Sequence, residues 1–258
     1  MKLYNKIFES ENLDFRKQPI ARKDSSNISM GDWENQEEIN RDFRELVKRE
    51  LNDPANIKSD RDGTEYIDLN HLSGEAFKCT DFSGMFNHTL ETRARMPDVD
   101  VSGWDVSRGQ NFINMFRSYE SFNCDLSKWD VSQGKNFYGM FYGCHNFNSD
   151  LSNWDVSNGV EFSWMFLGCH NFNSDLSKWD VSNGVEFSWM FSGCRNFNSD
   201  LSKWDVSNGV VFSWMFYGCY EFNSDLSKWN ILDNAMTFRM FWDCPIEEGF
   251  KPKKLQNI

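Results

Sequence analysis

The sequence predicts an α/β solenoid, a stack of coils that each contribute one short parallel strand and one short helix. Three observations predict it. Trp104, Trp129, Trp154, Trp179, Trp204 and Trp229 recur every 25 residues. Met115, Met140, Met165, Met190, Met215 and Met240, each followed by Phe, keep that step, as do Cys144, Cys169, Cys194, Cys219 and Cys244. Segment 171–191 returns at 196–216 with one change, Glu186 to Val211. A unit this short cannot bury its own apolar face, so its copies must stack.

Each unit divides into two halves. Leu176-x-x-Trp179-x-Val181 has the spacing of a leucine-rich-repeat strand, with Trp179 and Val181 facing in. Lys178, Asp180, Lys203 and Asp205 then lie on an outward polar strand face. Phe187, Met190, Phe191 and Cys194 follow at i, i+3, i+4 and i+7, the core stripe of a short helix. Ser182-Asn183-Gly184 is the turn between the halves. Parallel crossovers favour a right-handed path.

The flanks are expected to close this stack. Residues 1–30 lack periodicity and read as a flexible arm. Residues 31–56 carry an amphipathic capping helix, with Ile39, Phe43, Leu46, Val47 and Leu51 on one face and a stop at Asn52-Asp53-Pro54. Residues 57–98 hold a degenerate first coil. Its step from Met85 to Met115 is 30 residues, so a long loop lies at Asn87–Asp98. The repeats proper occupy 99–244, and 245–258 form a C-terminal cap with a basic tail.

The chain has 258 residues, enough for a sizeable core. A net charge of −12 argues against a nucleic-acid partner. Aromatics make up 16% of the chain, which excludes a disordered polymer. No apolar run is long enough to span a membrane. The charged start MKLYNKIFESENLDFRK lacks a signal-peptide pattern, and seven Cys without an export signal read as reduced thiols. The expected location is the cytoplasm at synthesis, with virion association as the alternative to a cell surface.

No nucleophile elbow, Walker loop, zincin or dinucleotide motif occurs, so no catalytic residue, metal or cofactor is assigned. The Cys column reads as small buried hydrophobes rather than zinc ligands. The Asp columns at 125–225 and 130–205 read as turn carboxylates, with stacked calcium sites the rival reading. The Asn123–Asn223 column reads as a hydrogen-bonded ladder.

Placing Phe162 at the start of an ideal helix turns Trp164 and Leu167 away from the core. The expected outer ridge is therefore Trp164, Trp189 and Trp214, flanked by Tyr142, Leu167, Tyr217 and Trp242. Contiguous exposed aromatics of this kind mark interaction surfaces. The rival reading buries the same Trp residues between coils. Copies of the unit vary beside this ridge at Arg117, Glu120, His145, His170, Arg195 and Tyr220. Variation on a fixed frame fits a recognition surface, and it fits unconstrained solvent positions as well.

The unit LSKWDVSNGVEFSWMFSGCRNFNSD resembles the repeat of BspA-like leucine-rich-repeat surface proteins, through W-D-V-S, M-F, G-C and F-N-x-D-L. The resemblance covers about residues 57–250. It implies a non-catalytic interaction or adhesion role and supplies no catalytic residues. Three functions follow as expectations: a scaffold binding a protein partner, a glycan-binding adhesin, and a structural or virion-assembly component that associates with itself. Ile7-Phe8-Glu9 resembles a short phage-maturation cleavage site, which fits the third.

Overall fold

The computed structural model describes residues 30–87 and 98–256. The arm at 1–29, with Ile7-Phe8-Glu9, and residues 88–97 of the long loop lie outside the described residues. Two compact units divide the chain, Met1–Asn35 and Gln36–Ile258. The described part of the first is the start of helix α1, Met30–Glu50; all other elements belong to the second.

Within the second unit α1 turns Phe43 and Val47 into the core, where the Phe43 ring meets Phe82 and Trp104 at 6.2 and 5.2 Å. Its polar flank grips the first repeat. Arg44 pairs with the Asp81 carboxylate at 2.7 Å and donates to the Asp81 carbonyl at 3.1 Å. Asn40 accepts from the Thr80 amide at 3.0 Å. The helix stops where Asp53 takes the Ala55 amide and opens a tight turn at Pro54–Asn56. Strands β1, Ile57–Ser59, and β2, Glu65–Asp68, pair antiparallel, and β3, Asp98–Asp100, joins β2 in parallel with Tyr66 opposite Asp98. A single helical turn, α2, covers Ser73–Ala76.

From Val101 to Glu247 the described residues form neither a helix nor a strand longer than one bridge. This differs from the expected strand and helix per unit. The stripe Phe187, Met190, Phe191 and Cys194 is wholly buried, yet its backbone is a chain of turns. The amides of Phe162, Trp164, Phe166 and Gly168 donate to the carbonyls of Glu186, Ser188, Met190 and Ser192 in the next unit, at 2.8–2.9 Å. The amides between them close three-residue turns, Met165 to Phe162 and Leu167 to Trp164. Trp164 at φ 62° and Gly168 at φ 76° supply the left-handed steps that aim alternate amides out of the helical path. A helix would spend those donors within itself.

The strand position differs too. Trp179 and Val181 are buried, but cross-unit parallel bridges lie farther along, at Asp81, Asn111, Asn136, Glu161, Glu186, Val211 and Met236. Around Trp179 the bonding is local or made by side chains. Asp180 accepts the Ser182 amide, and the Trp179 indole donates to the Leu151 carbonyl at 2.9 Å. The same indole bond recurs at Trp154, Trp204 and Trp229.

Side chains repeat with the backbone and form columns. Phe116, Phe141, Phe166, Phe191, Phe216 and Phe241 stack at 5.6–5.7 Å with nearly parallel planes. Trp129 to Trp229 stack at 6.2–6.5 Å. Offset pairs of this kind contribute about 0.5–1.5 kcal/mol each beyond burial. Cys144, Cys169, Cys194 and Cys219 donate their thiols to the carbonyls of Phe116, Phe141, Phe166 and Phe191 in the preceding unit at 3.0 Å, and burial raises their pKa. The Asn column passes one amide bond per unit, from Asn148 accepted by Asn123 onward to Asn223 accepted by Asn198.

One column holds like charges. Glu161 and Glu186 are bridge partners on adjacent units. Burial, and after it the Glu161 carboxylate, pushes Glu186 up to about 7. Burial raises Glu161 as well, against the Ser163 bonds that lower it. A carboxyl whose folded pKa lies above its unfolded value stabilises the fold below the unfolded value, and loses that contribution as pH rises through the folded one. His170, held down by burial and then by His145 and Arg195, works in the opposite direction.

Two predictions follow from these columns. Trp179→Phe leaves the buried Leu151 carbonyl without its donor and lowers unfolding free energy by about 1–3 kcal/mol in urea titration; an unchanged midpoint would remove the indole bond from the account. Glu186→Gln raises the melting temperature at about pH 8 more than at about pH 5. Parallel melting curves for the two proteins across that range would show that Glu186 carries no such charge penalty.

Candidate interaction surface

The turn run carries the aromatic ridge. Tyr138 stacks on Trp164 at 5.5 Å, and Tyr142 meets the same ring edge-on at 5.8 Å. Arg117 lies over Tyr142 at 4.9 Å. Trp189 stacks on Trp214 at 4.9 Å, and Tyr217 packs edge-on against both. Arg239 closes the row, 5.0 Å from Trp214, 5.1 Å from Phe238 and 4.3 Å from Trp242. Such contacts hold a guanidinium by the ring quadrupole, at about 0.5–1 kcal/mol each when exposed.

The structure divides the expected ridge. Tyr142, Trp164, Trp189 and Tyr217 are half-buried and Trp242 is exposed. Trp214 is 4% exposed and Leu167 1%, so neither displays a face to solvent. The expectation for these two fails because it rested on 100° of rotation per residue. A run that alternates right- and left-handed steps does not rotate that way. Trp214 is packed between Trp189 and Phe238, and its indole nitrogen is buried without a hydrogen-bond partner, as is the Ser192 hydroxyl. Trp214 thus follows the reading that buries these residues between units, while Trp164 and Trp189 are half-buried and also pack on a ring of a neighbouring unit.

The tryptophans sit on unusual backbone. Trp164, Trp189 and Trp214 have φ of 62°, 57° and 61°, where an L-residue is strained by about 1–2 kcal/mol. The preceding unit places Gly139 there, at φ 59°.

The flanking positions scatter in character. His145 and His170 are half-buried and stack at 4.5 Å. Glu120, Arg195 and Tyr220 are exposed, and Arg117 belongs to the ridge through Tyr142. Lys178, Asp180, Lys203 and Asp205 are exposed on the polar face, where the aspartates accept the amides of Ser182 and Ser207. Bonds from Ser207 hold the Asp205 carboxyl below the usual range. The neighbouring Asp175 is lowered in the same way by Ser177. These carboxylates are engaged in Asx turns. Among the described residues no group of three or more His, Cys, Asp or Glu is disposed to hold a metal ion. No described helix is long and apolar enough to cross a membrane.

Sequence reasoning missed Tyr138, Phe238 and Met236. For two of them a signal was available: the positions before Gly139, Trp164, Trp189, Trp214 and Arg239 read Tyr138, Ser163, Ser188, Ser213 and Phe238, aromatic at the two ends.

No curated protein and no solved structure shows significant similarity to the chain. A family described as "Mycoplasma protein of unknown function, DUF285" matches twice, over residues 75–166 and 152–248. These matches span the repeats and most of the turn ladder that carries the ridge, and the chain belongs to this DUF285 repeat family.

Proposed function

We propose that the chain is a non-enzymatic solenoid scaffold of the BspA-like kind, binding a protein partner through its aromatic ridge. The observation that carries this reading is the strained, left-handed tryptophan series at Trp164, Trp189 and Trp214, at a position where Gly139 fits without strain. Side chains held on strained backbone cluster at functional sites. Half-buried Trp and Tyr with nearby Arg are also the residue types that dominate protein interfaces.

Glycan binding has less support. Sugar stacking needs an open ring face. The Trp189 and Trp214 faces meet each other, and Arg239 lies over Trp242. The polar face of Lys178 and Asp180 has less support as a docking site, since its carboxylates serve local turns.

The test replaces Trp164 and Trp189 together by glycine. Glycine relieves about 1–2 kcal/mol of strain per site, and this offsets about 1.5–3 kcal/mol of lost ring burial. The double variant should therefore keep its melting temperature within a few degrees while losing the partner recovered by affinity capture with the unaltered chain. Soluble mono- and oligosaccharides should not compete for that partner. Capture that survives the substitutions sinks the ridge reading, and competition by sugars replaces it with the adhesin.

A further inference from the structure

The turn run is polar. From Phe162 to Gly168, and at the matching positions of the other units, the cross-unit amides point to the following unit, while just outside the run the amides of Val160, Glu161 and Asn171 point back to Lys135 and His145. The last such layer is Phe212, Trp214, Phe216 and Gly218, whose amides donate to Met236, Phe238, Met240 and Trp242 at 2.7–3.0 Å. The next unit repeats the conformation, with the same turn closures at Met240, Trp242 and Cys244 and left-handed steps at Arg239 and Asp243. Its own outward amides, those of Thr237, Arg239, Phe241 and Asp243, have no acceptor among the described residues. Alternating left- and right-handed backbone that aims several amides one way binds acceptor oxygens. Beside this row Met236, Phe238 and Trp242 are 46%, 56% and 50% exposed, although they sit on the rung that ends a continuous core.

We propose that this C-terminal edge docks the carbonyl edge of a repeat array belonging to another protein of the same repeat type, so that the ladder continues between chains. The occupant follows from polarity. Two copies of this chain meeting at these ends would bring donors against donors. At the opposite end Arg44 already donates to the Asp81 carbonyl, and Phe43 of α1 covers Phe82. A regular β-strand shows donors as well as acceptors along one edge and leaves its own amides unpaired. The preceding edge of an uncapped array of this repeat presents a run of four carbonyls, at the two-residue spacing of those to which the amides of Phe212 to Gly218 already donate, flanked by amides such as that of Met236, which donates back to Val210. The interface therefore continues one that recurs throughout the chain. The proposal rests on the scaffold reading and names one partner class for it.

The experiment measures amide hydrogen exchange on the full chain, with and without an excess of a capped synthetic peptide of residues 183–193. That peptide carries the carbonyls of Glu186, Ser188, Met190 and Ser192, which the preceding unit binds within the chain. In the free chain the amides of Thr237, Arg239, Phe241 and Asp243 should exchange far faster than those at 212, 214, 216 and 218. Peptide at about ten times its Kd should slow the four roughly tenfold. The variant F238D/W242D gives up the Phe238 contact with Trp214 and the two Arg239 contacts, so it should stay folded with a melting temperature a few degrees lower and lose that slowing. Three outcomes overturn the proposal: no slowing, equal slowing by a scrambled peptide, or slowing that persists in F238D/W242D. Protection that rises with the concentration of the chain alone overturns the foreign array in favour of a second copy. Failure of the peptide to slow these amides in the unaltered chain, with ridge capture by that chain intact, rejects this proposal and leaves the scaffold standing.

Discussion

A ladder of main-chain hydrogen bonds between units fixes everything else in this molecule. The Phe162 amide needs the Glu186 carbonyl, and the Trp164 amide needs the carbonyl of Ser188. A buried amide left without its acceptor costs about 1–3 kcal/mol, so a shift of one residue would forfeit several such bonds at once. The repeat length is therefore held by backbone geometry, and the side-chain columns are its consequence. Phe stacks on Phe and Trp on Trp because each unit presents the same atom at the same height. The longer step between Met85 and Met115 does not break the rule. The Phe82 amide still reaches Asn111 and the Phe86 amide still reaches Met115, so the extra residues fall outside the ladder.

A ladder with direction has two unlike ends, and the chain treats them differently. At the first unit the loose groups of the turn run are carbonyls, which long polar side chains can satisfy, and the Thr80 amide beside them is taken by Asn40. Gln36 donates to Lys78 and Arg44 to Asp81, while Phe43 and Val47 cover the apolar layer beneath. At the last unit the C-terminal segment covers a different part of the layer. Leu226 donates to Phe250, and Lys254 donates to the carbonyls of Leu232 and Asp233 at 2.6 and 2.7 Å. Lysine supplies donors only, so it closes carbonyls and cannot serve the amides of the ridge. The open edge at Thr237 to Asp243 is thus the part of the layer that the lysine side chains of the tail are chemically unable to cap.

Composition and spacing reveal which residues face inward but not the backbone that holds them there. The Phe187, Met190, Phe191 and Cys194 stripe reads as helix because i, i+3, i+4 and i+7 fall on one helical face. A double turn with left-handed steps brings the same four side chains inward. What separates the two is glycine. Gly143, Gly168, Gly193 and Gly218 stand just before the column of Cys at φ of 66–76°, and a helix interrupted at the same place in every unit is a chain of turns. The ridge is legible only in part for the same reason. Tyr142 and Trp164 could be picked out by type and period, whereas the burial of Leu167 and Trp214 depends on a twist that hydrophobic spacing does not encode. The polar face is different again. Asp180 and Lys178 are exposed as alternation requires, but nothing in their pattern tells that the carboxylate closes a turn on Ser182.

The tryptophans of the ridge are where local preference and observed structure part most clearly. At φ near 60° a tryptophan loses about 1–2 kcal/mol that a glycine would not. The return from stacking, as for Trp189 on Trp214 at 4.9 Å, is about 0.5–1.5 kcal/mol, with ring burial in addition. For Trp214, nearly closed off from solvent, burial tips that balance toward stability even with its indole nitrogen left unpaired. For Trp164 and Trp189, only half-buried, the terms come close to cancelling. A side chain that costs the backbone about as much as it returns to the core has its reason outside the core. Under the scaffold proposal, that reason is the surface these rings build with Tyr138, Tyr142 and Tyr217.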